Sequence, residues 1–197
     1  MTLSPATRLP AEAFPAELRT YRNYIDGAFT DAGSDLIEVR NPATGALLGH
    51  IPETPADQVD AAVRAARQAQ PDWERLPAIE RANHLRKVSA KLRLHRVELA
   101  DIIVREQGKI RPLAQVEVDF TADYIDYMAE WARRIEGEVL TSDRPNETML
   151  LLRKPLGVVA GVLPWNFPFF LIARKMAPAL VTGNTIVIKP SEETPLN

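Results

Sequence analysis

Gly157-Val158-Val159-Ala160-Gly161-Val162-Leu163 opens the stretch that decides the fold, and Thr185-Ile186-Val187-Ile188 closes it. Both are short apolar runs with β-branched residues, the pattern of strands buried on both faces of a parallel sheet. Between them, Pro168 to about Thr182 reads as a helix that ends at Gly183. Proline suits a first helical position because that N–H would be unpaired anyway, and glycine suits the left-handed residue past the end. Strand, helix, strand makes one βαβ unit, so the chain is α/β. Two parallel strands with one crossover leave open edges and an uncovered apolar sheet, which normally calls for further βα units. The expectation is that these residues form the first part of a larger enzyme.

Upstream lies a helical block. Thr54-Pro55-Ala56-Asp57 signals a helix start, with Thr54 as cap, Pro55 at the first position and Asp57 near the positive helix end. Val59, Val63 and Ala66 mark one face of it. A second helix from about Ala78 carries Ile79, Leu85, Val88 and Leu92, and a third uses Leu99, Ile102 and Ile103 and stops at Gly108. In a fourth, Val116, Phe120, Tyr124, Tyr127, Met128 and Trp131 recur at helical spacing. That stripe is expected to pack into the core rather than to line a ligand site.

Extended structure flanks the block. Asn23 to Phe29 reads as a hairpin turning at Asp26-Gly27, and Leu36 to Val39 pairs with Leu47 to Ile51. Residues 1–20 carry Pro5, Pro10 and Pro15 without a period and read as a flexible arm. Glu138 to Thr141 and Thr148 to Arg153 form a second hairpin around a polar turn. Its apolar rung, Met149 to Leu152, is an edge in need of a partner, which suggests oligomerisation.

Composition removes several function classes. Of 197 residues, 46% are hydrophobic and 25% charged, near the soluble average. The formal charge is −2 with no Lys/Arg block, which argues against nucleic acid as a partner. There is no cysteine, so these residues supply no disulfide, thiolate metal site or cysteine nucleophile. His50, His84 and His95 are scattered without metal-ligand spacing, and no metal site is expected. No apolar run is long enough to span a membrane and no signal pattern opens the chain, so a cytoplasmic protein is expected.

The residues that carry chemistry lie just past the two buried strands. Pro164-Trp165-Asn166-Phe167-Pro168 follows the first, at the carboxyl edge where open α/β sheets bind ligands. Asn166 offers an uncharged amide donor to a developing oxyanion, beside a helix N-terminus. The alternative is that it merely caps that helix. Lys189-Pro190-Ser191-Glu192 follows the second strand, and Lys189 with Glu192 can hold ribose hydroxyls or simply form a surface turn. No GxGxxG follows either strand.

With that spacing, Pro164-Trp165-Asn166-Phe167-Pro168 and Ile188-Lys189-Pro190-Ser191-Glu192 resemble the aldehyde dehydrogenase superfamily. Asn41-Pro42-Ala43-Thr44-Gly45 resembles its early N-P-x-T-G segment, and the likeness runs from about Tyr24 to Asn197. Residues 116–128 and 170–178 look most like its bacterial lactaldehyde (glycolaldehyde) dehydrogenase branch.

The resemblance implies the N-terminal part of a Rossmann-type cofactor-binding domain, with the helical block and a protruding oligomerisation hairpin. Residues 21–137 and 155–197 would be an incomplete NAD-binding domain, 138–154 the hairpin of a homo-oligomer (dimer or tetramer), and the catalytic domain would be absent. It further implies NAD(P)-dependent oxidation of an aldehyde to its acid, through a cysteine thiolate and a glutamate-activated water that lie elsewhere. Asn166 would be the oxyanion donor and Lys175 would sit near the proton-relay path. Leu163, Pro164 and Trp165 would line the cofactor cleft, Lys189 and Glu192 would contact the ribose, and Ser191 would join that set. A carboxylate at Glu192 repels a 2′-phosphate, which favours NAD over NADP. Phe167, Phe170 and Arg174 share the helix face that would line the aldehyde tunnel. An arginine there points to a short polar aldehyde, namely lactaldehyde, glycolaldehyde or a semialdehyde, unless Arg174 simply faces solvent. The competing expectation is a non-catalytic subunit that binds cofactor or assists assembly.

Overall fold

The computed structural model describes residues 18–197. The chain begins with β1 (Arg19–Thr20), then the hairpin β2 (Tyr24–Ile25) and β3 (Ala28–Phe29), then β4 (Leu36–Arg40) and β5 (Leu47–Pro52). Asp26 and Gly27 take φ of 52° and 77°, the left-handed pair that a two-residue hairpin turn requires. Strands β1, β5 and β4 form one sheet in that order. Of the arm expected over residues 1–20, residues 1–17 lie outside the described residues. Arg19 and Thr20 depart from that expectation, because they pair in parallel with Gly49 and His50.

Four helices follow: α1 (Ala56–Arg75), α2 (Ala78–Leu94), α3 (Arg96–Gln107) and α4 (Arg111–Ala129). The antiparallel hairpin β6 (Glu138–Thr141) and β7 (Thr148–Leu151) comes next, exposed along its whole length. Then come β8 (Val158–Val162), α5 (Pro168–Val181) and β9 (Thr185–Lys189). Strands β8 and β9 pair in parallel from Val158 opposite Thr185 to Val162 opposite Lys189. The βαβ unit read from the sequence is therefore present.

Helix α4 is the axis of the core. Its Ile125 and Ala129 meet Ala82 and Leu85 of α2 and Ala173, Ala177 and Val181 of α5. Nearer the start of α4, Ala114 and Val118 meet Ala100 and Ile103 of α3 and Phe169 of α5. Small residues let neighbouring helices approach closely enough to interdigitate. Helix α1 packs on the β8–β9 pair, where the Thr185 hydroxyl donates to the Ala66 carbonyl at 2.8 Å, and on the end of α5, where Trp73 Nε1 donates to Leu180 O at 2.9 Å. Helix α5 lies over Gly161 of β8, where a Cβ would meet Lys175 Cβ at van der Waals distance, 3.4 Å.

Three local expectations need correction. Pro55, not Thr54, precedes the first turn of α1, and the Thr54 hydroxyl instead accepts from Asn23 Nδ2 at 2.9 Å. Val59, Val63 and Val88 are exposed: no residue of α1 is buried, and α2 turns Arg81, Ala82, Leu85 and Ser89 inward. On α4 the buried face is Ala114, Glu117, Val118, Thr121, Ala122, Ile125 and Ala129. Val116, Phe120, Tyr127 and Trp131 of the expected core stripe are exposed. Close helix packing on three sides selects the small residues, and the bulky ones are left at the rim.

Two helix ends converge on one buried cation. Arg81, 7% exposed, donates from Nε to Val181 O at 3.0 Å and from a terminal nitrogen to the carbonyls of Glu74 and Leu76. Val181 and Glu74 lie in the last turns of α5 and α1, whose carbonyls have no intrahelical donor, and Leu76 directly follows α1. Burial lowers the guanidinium's affinity for its proton, and the nearby Glu74 charge opposes this. Arg81→Ala is expected to lower the unfolding free energy by at least about 2 kcal/mol, because several buried acceptors lose their partner at once. Urea denaturation followed by circular dichroism checks this, and an unchanged midpoint would contradict the role.

Candidate active site

The parallel pair ends with Val162 beside Lys189, and the loops leaving both strands share that edge. Leu163 is buried and its N–H donates to Lys189 O at 3.1 Å, which holds the two loops together. Pro164, Trp165, Asn166 and Phe167 then stand exposed before α5. Asn166 does not cap the helix. Phe167 precedes the first turn and offers no side-chain acceptor.

The missing cap comes from another helix. Glu117, 2% exposed on α4, accepts the N–H groups of Phe169 (3.0 Å) and Phe170 (3.2 Å) at one carboxylate oxygen. Its other oxygen takes Lys109 Nζ. Lys109 also lies 4.1 Å from the Phe167 ring centroid and 3.4 Å from Asn166 O. Gln107 Nε2 donates to Trp165 O at 2.9 Å and to Asn166 O at 2.8 Å. Among the described residues, the Asn166 side-chain amide itself has no hydrogen-bond partner. The loop backbone is thus tied down while that donor stays free.

Behind the loop, an aromatic patch forms between α4 and α5. The Phe170 ring lies 4.5 Å from Phe120 and 5.5 Å from Tyr124, centroid to centroid. The Arg174 guanidinium stands over the Phe170 ring at 5.9 Å, so the two share a helix face as their spacing implies. Lys175 is exposed on the part of α5 that overlies Gly161 of β8.

At the end of β9, Lys189 and Glu192 form an exposed ion pair of 2.8 Å. The bond from Lys189 holds the Glu192 carboxyl below its ordinary value. Ser191 is buried, and its Oγ accepts the Glu193 N–H at 3.3 Å, so it shapes the turn that presents Glu192. Nearby, Glu106 accepts the backbone N–H groups of Leu196 (2.7 Å) and Asn197 (3.1 Å). An open cleft of about 310 Å³ lies between Pro42, Glu106, Gln107, Trp165, Glu193 and Thr194.

Residues 29–197 match the aldehyde dehydrogenase family. The chain belongs to that family. It is 63% identical to lactaldehyde dehydrogenase of Escherichia coli over 88% of its length, and 38% identical to glutarate-semialdehyde dehydrogenase of Pseudomonas aeruginosa over 91%. It spans 36% and 38% of those two relatives' lengths. The crystal structure of the E. coli lactaldehyde dehydrogenase superposes with a TM-score of 0.88, over 89% of this chain and 37% of that one. A structure of 3,6-anhydro-L-galactose dehydrogenase in complex with NAP, 38% identical, superposes with a TM-score of 0.87 over 90% of this chain and 38% of that one. Among the described residues, no helix is long and apolar enough to cross a membrane.

Sequence reading passed over Gln107, Lys109 and Glu117. One signal was available: Phe167-Pro168 opens a helix with no capping side chain, so its free N–H groups need an acceptor from elsewhere. A glutamate amid alanines and threonine on α4 is that acceptor.

Glu106 is 2% exposed and its carboxyl is pushed up to about 7. Burial away from water is the main cause; the donors on Asn197 and Leu196 act against it, and the Glu117 charge adds to the rise. The folded protein therefore holds this proton more tightly than the unfolded chain, where the value is 4.5. The corresponding stability is present below pH 4.5 and is lost as pH rises through about 7. Glu106→Gln is expected to flatten the fall in urea midpoint between about pH 5 and about pH 8, a contribution of up to roughly 3 kcal/mol. An equally steep fall in the variant would show that another group is responsible.

Proposed function

We propose that this chain supplies the oxyanion side and part of the cofactor cleft of a cytoplasmic, NAD-dependent dehydrogenase that oxidises a short polar aldehyde to its acid. Lactaldehyde, glycolaldehyde or a semialdehyde is the substrate class. The observation that carries the reading is Asn166, whose backbone is bound on both sides while its amide is exposed and unpartnered. An uncharged donor of this kind stabilises charge that develops on an aldehyde oxygen in the transition state without pairing strongly with the ground state. The nucleophile comes from outside these 197 residues, which hold no cysteine.

The residues at the sheet edge fit a nicotinamide dinucleotide. Leu163, Pro164 and Trp165 offer backbone at the carboxyl end of β8, and Lys189 and Glu192 stand exposed at the end of β9. When bound, the nicotinamide ring supplies the hydride acceptor. Glu192 accepts from ribose hydroxyls and repels a 2′-phosphate, which favours NAD over NADP. Lys175, exposed on α5, is the lysine near the proton-relay path. The exposed hairpin, with Val139, Leu150 and Leu152 on its surface, serves as the edge that joins a homo-oligomer.

Arg174 sets the substrate class. A guanidinium over Phe170, whose ring meets Phe120 and Tyr124, gives an apolar wall one charge-assisted donor, suited to a hydroxyl or carboxylate on a small aldehyde. The names of the two curated relatives, for lactaldehyde and glutarate semialdehyde, support this reading.

In the catalytically active protein, Asn166→Ala is expected to lower kcat by about 100-fold with little change in KM, as for loss of one oxyanion donor. Steady-state aldehyde oxidation with NAD checks it, and an unchanged kcat removes Asn166 from that role. Arg174→Leu is expected to raise KM for glycolaldehyde about tenfold while leaving an apolar aldehyde such as hexanal nearly unaffected. Equal effects on both aldehydes would end the specificity argument.

A further inference from the structure

We infer that Gln107, flanked by the Lys109–Glu117 pair, is a positioning residue that fixes the direction in which Asn166 presents its amide. The inference rests on Asn166 being the oxyanion donor, and it follows from the geometry of two peptide planes.

Trp165 O belongs to the peptide on one side of the Asn166 Cα, and Asn166 O to the peptide on the other. Gln107 Nε2 donates to both, at 2.9 and 2.8 Å. One nitrogen therefore ties down both peptide planes that flank this Cα, and with them the direction of its Cα–Cβ bond. The orientation of the Gln107 amide follows from the same contacts. A flipped amide would turn its oxygen toward two carbonyl oxygens, which repel it. The amide keeps this orientation although its own Oε1 is buried without a partner among the described residues, a state that buried acceptors seldom adopt.

The neighbouring residues fix what Gln107 does not. Lys109 reaches Asn166 O at 3.4 Å and lies over the Phe167 ring, so it holds the residue after the donor. Glu117 holds Lys109 and the first turn of α5 together. Among the described residues, the Asn166 side chain is left without a partner while its backbone is held on both sides. That is the arrangement a preorganised donor needs, since it spends no energy reorienting during the reaction.

The test uses the catalytically active protein and the variants Gln107→Leu, Asn166→Ala and their combination. Gln107→Leu keeps the side chain's bulk and strands no charge, whereas Lys109→Met would leave Glu117 buried without its cation and risk misfolding. The expected result for Gln107→Leu is a fall in kcat of about tenfold, with KM for aldehyde and NAD within about twofold of the parent. The double variant is expected to be no slower than Asn166→Ala alone, because Gln107 acts through Asn166. Losses that multiply in the double variant overturn the inference, as does an unchanged kcat in Gln107→Leu. If Asn166→Ala proves fully active, the oxyanion reading itself fails, and amide hydrogen exchange over residues 164–170 becomes the deciding measurement. Exchange there at least about tenfold faster in Gln107→Leu, with an unchanged urea midpoint, upholds the positioning role, and unchanged exchange overturns it.

Discussion

A single buried carboxylate organises the functional end of this molecule. Glu117 sits in the middle of the inward face of α4, where a lone charge would be costly. It is tolerated because each oxygen has a donor: the first-turn N–H groups of α5 on one side and Lys109 on the other. Helix α5 begins with Phe167-Pro168 and has no cap of its own, so its start depends on a residue about fifty positions upstream. Removing either partner would leave the other unsatisfied in a packed core.

From that contact the rest of the site follows in order. With the first turn of α5 fixed on α4, the loop from Pro164 to Phe167 is short enough for Gln107 and Lys109 to reach its carbonyls. Phe170 is carried to Phe120 and Tyr124, and Arg174 follows one turn later. Phe120 and Tyr124 of α4 thereby pack against the first turn of α5. On the other side of the loop, strand pairing alone brings Lys189 and Glu192 to the same edge, because Val162 lies opposite Lys189.

Much of this was legible in the sequence, for local reasons. The βαβ unit declared itself because buried parallel strands are continuous apolar runs and because Pro168 and Gly183 mark the helix between them. Gly108 and Asp26-Gly27 announced their turns through the left-handed backbone that those turns demand. The stripe on α4 misled for an equally physical reason. Hydrophobic size predicts burial only when the neighbours leave room for it, and here three helices close on alanine, valine and threonine instead. Arg81 was also silent in the sequence, since a lone arginine on a helix gives no sign that two helix ends will meet on it.

The sequence by itself determined the order of elements from the first hairpin onward, the family, and the residue types at the two strand ends, because each depends on a few neighbours along the chain. Only the tertiary structure decided which face of α4 is buried, who caps α5, and how the backbone around Asn166 is held. Those outcomes depend on contacts between α3, α4, α5 and the loops after β8 and β9, which lie far apart in sequence and close only when the helices pack.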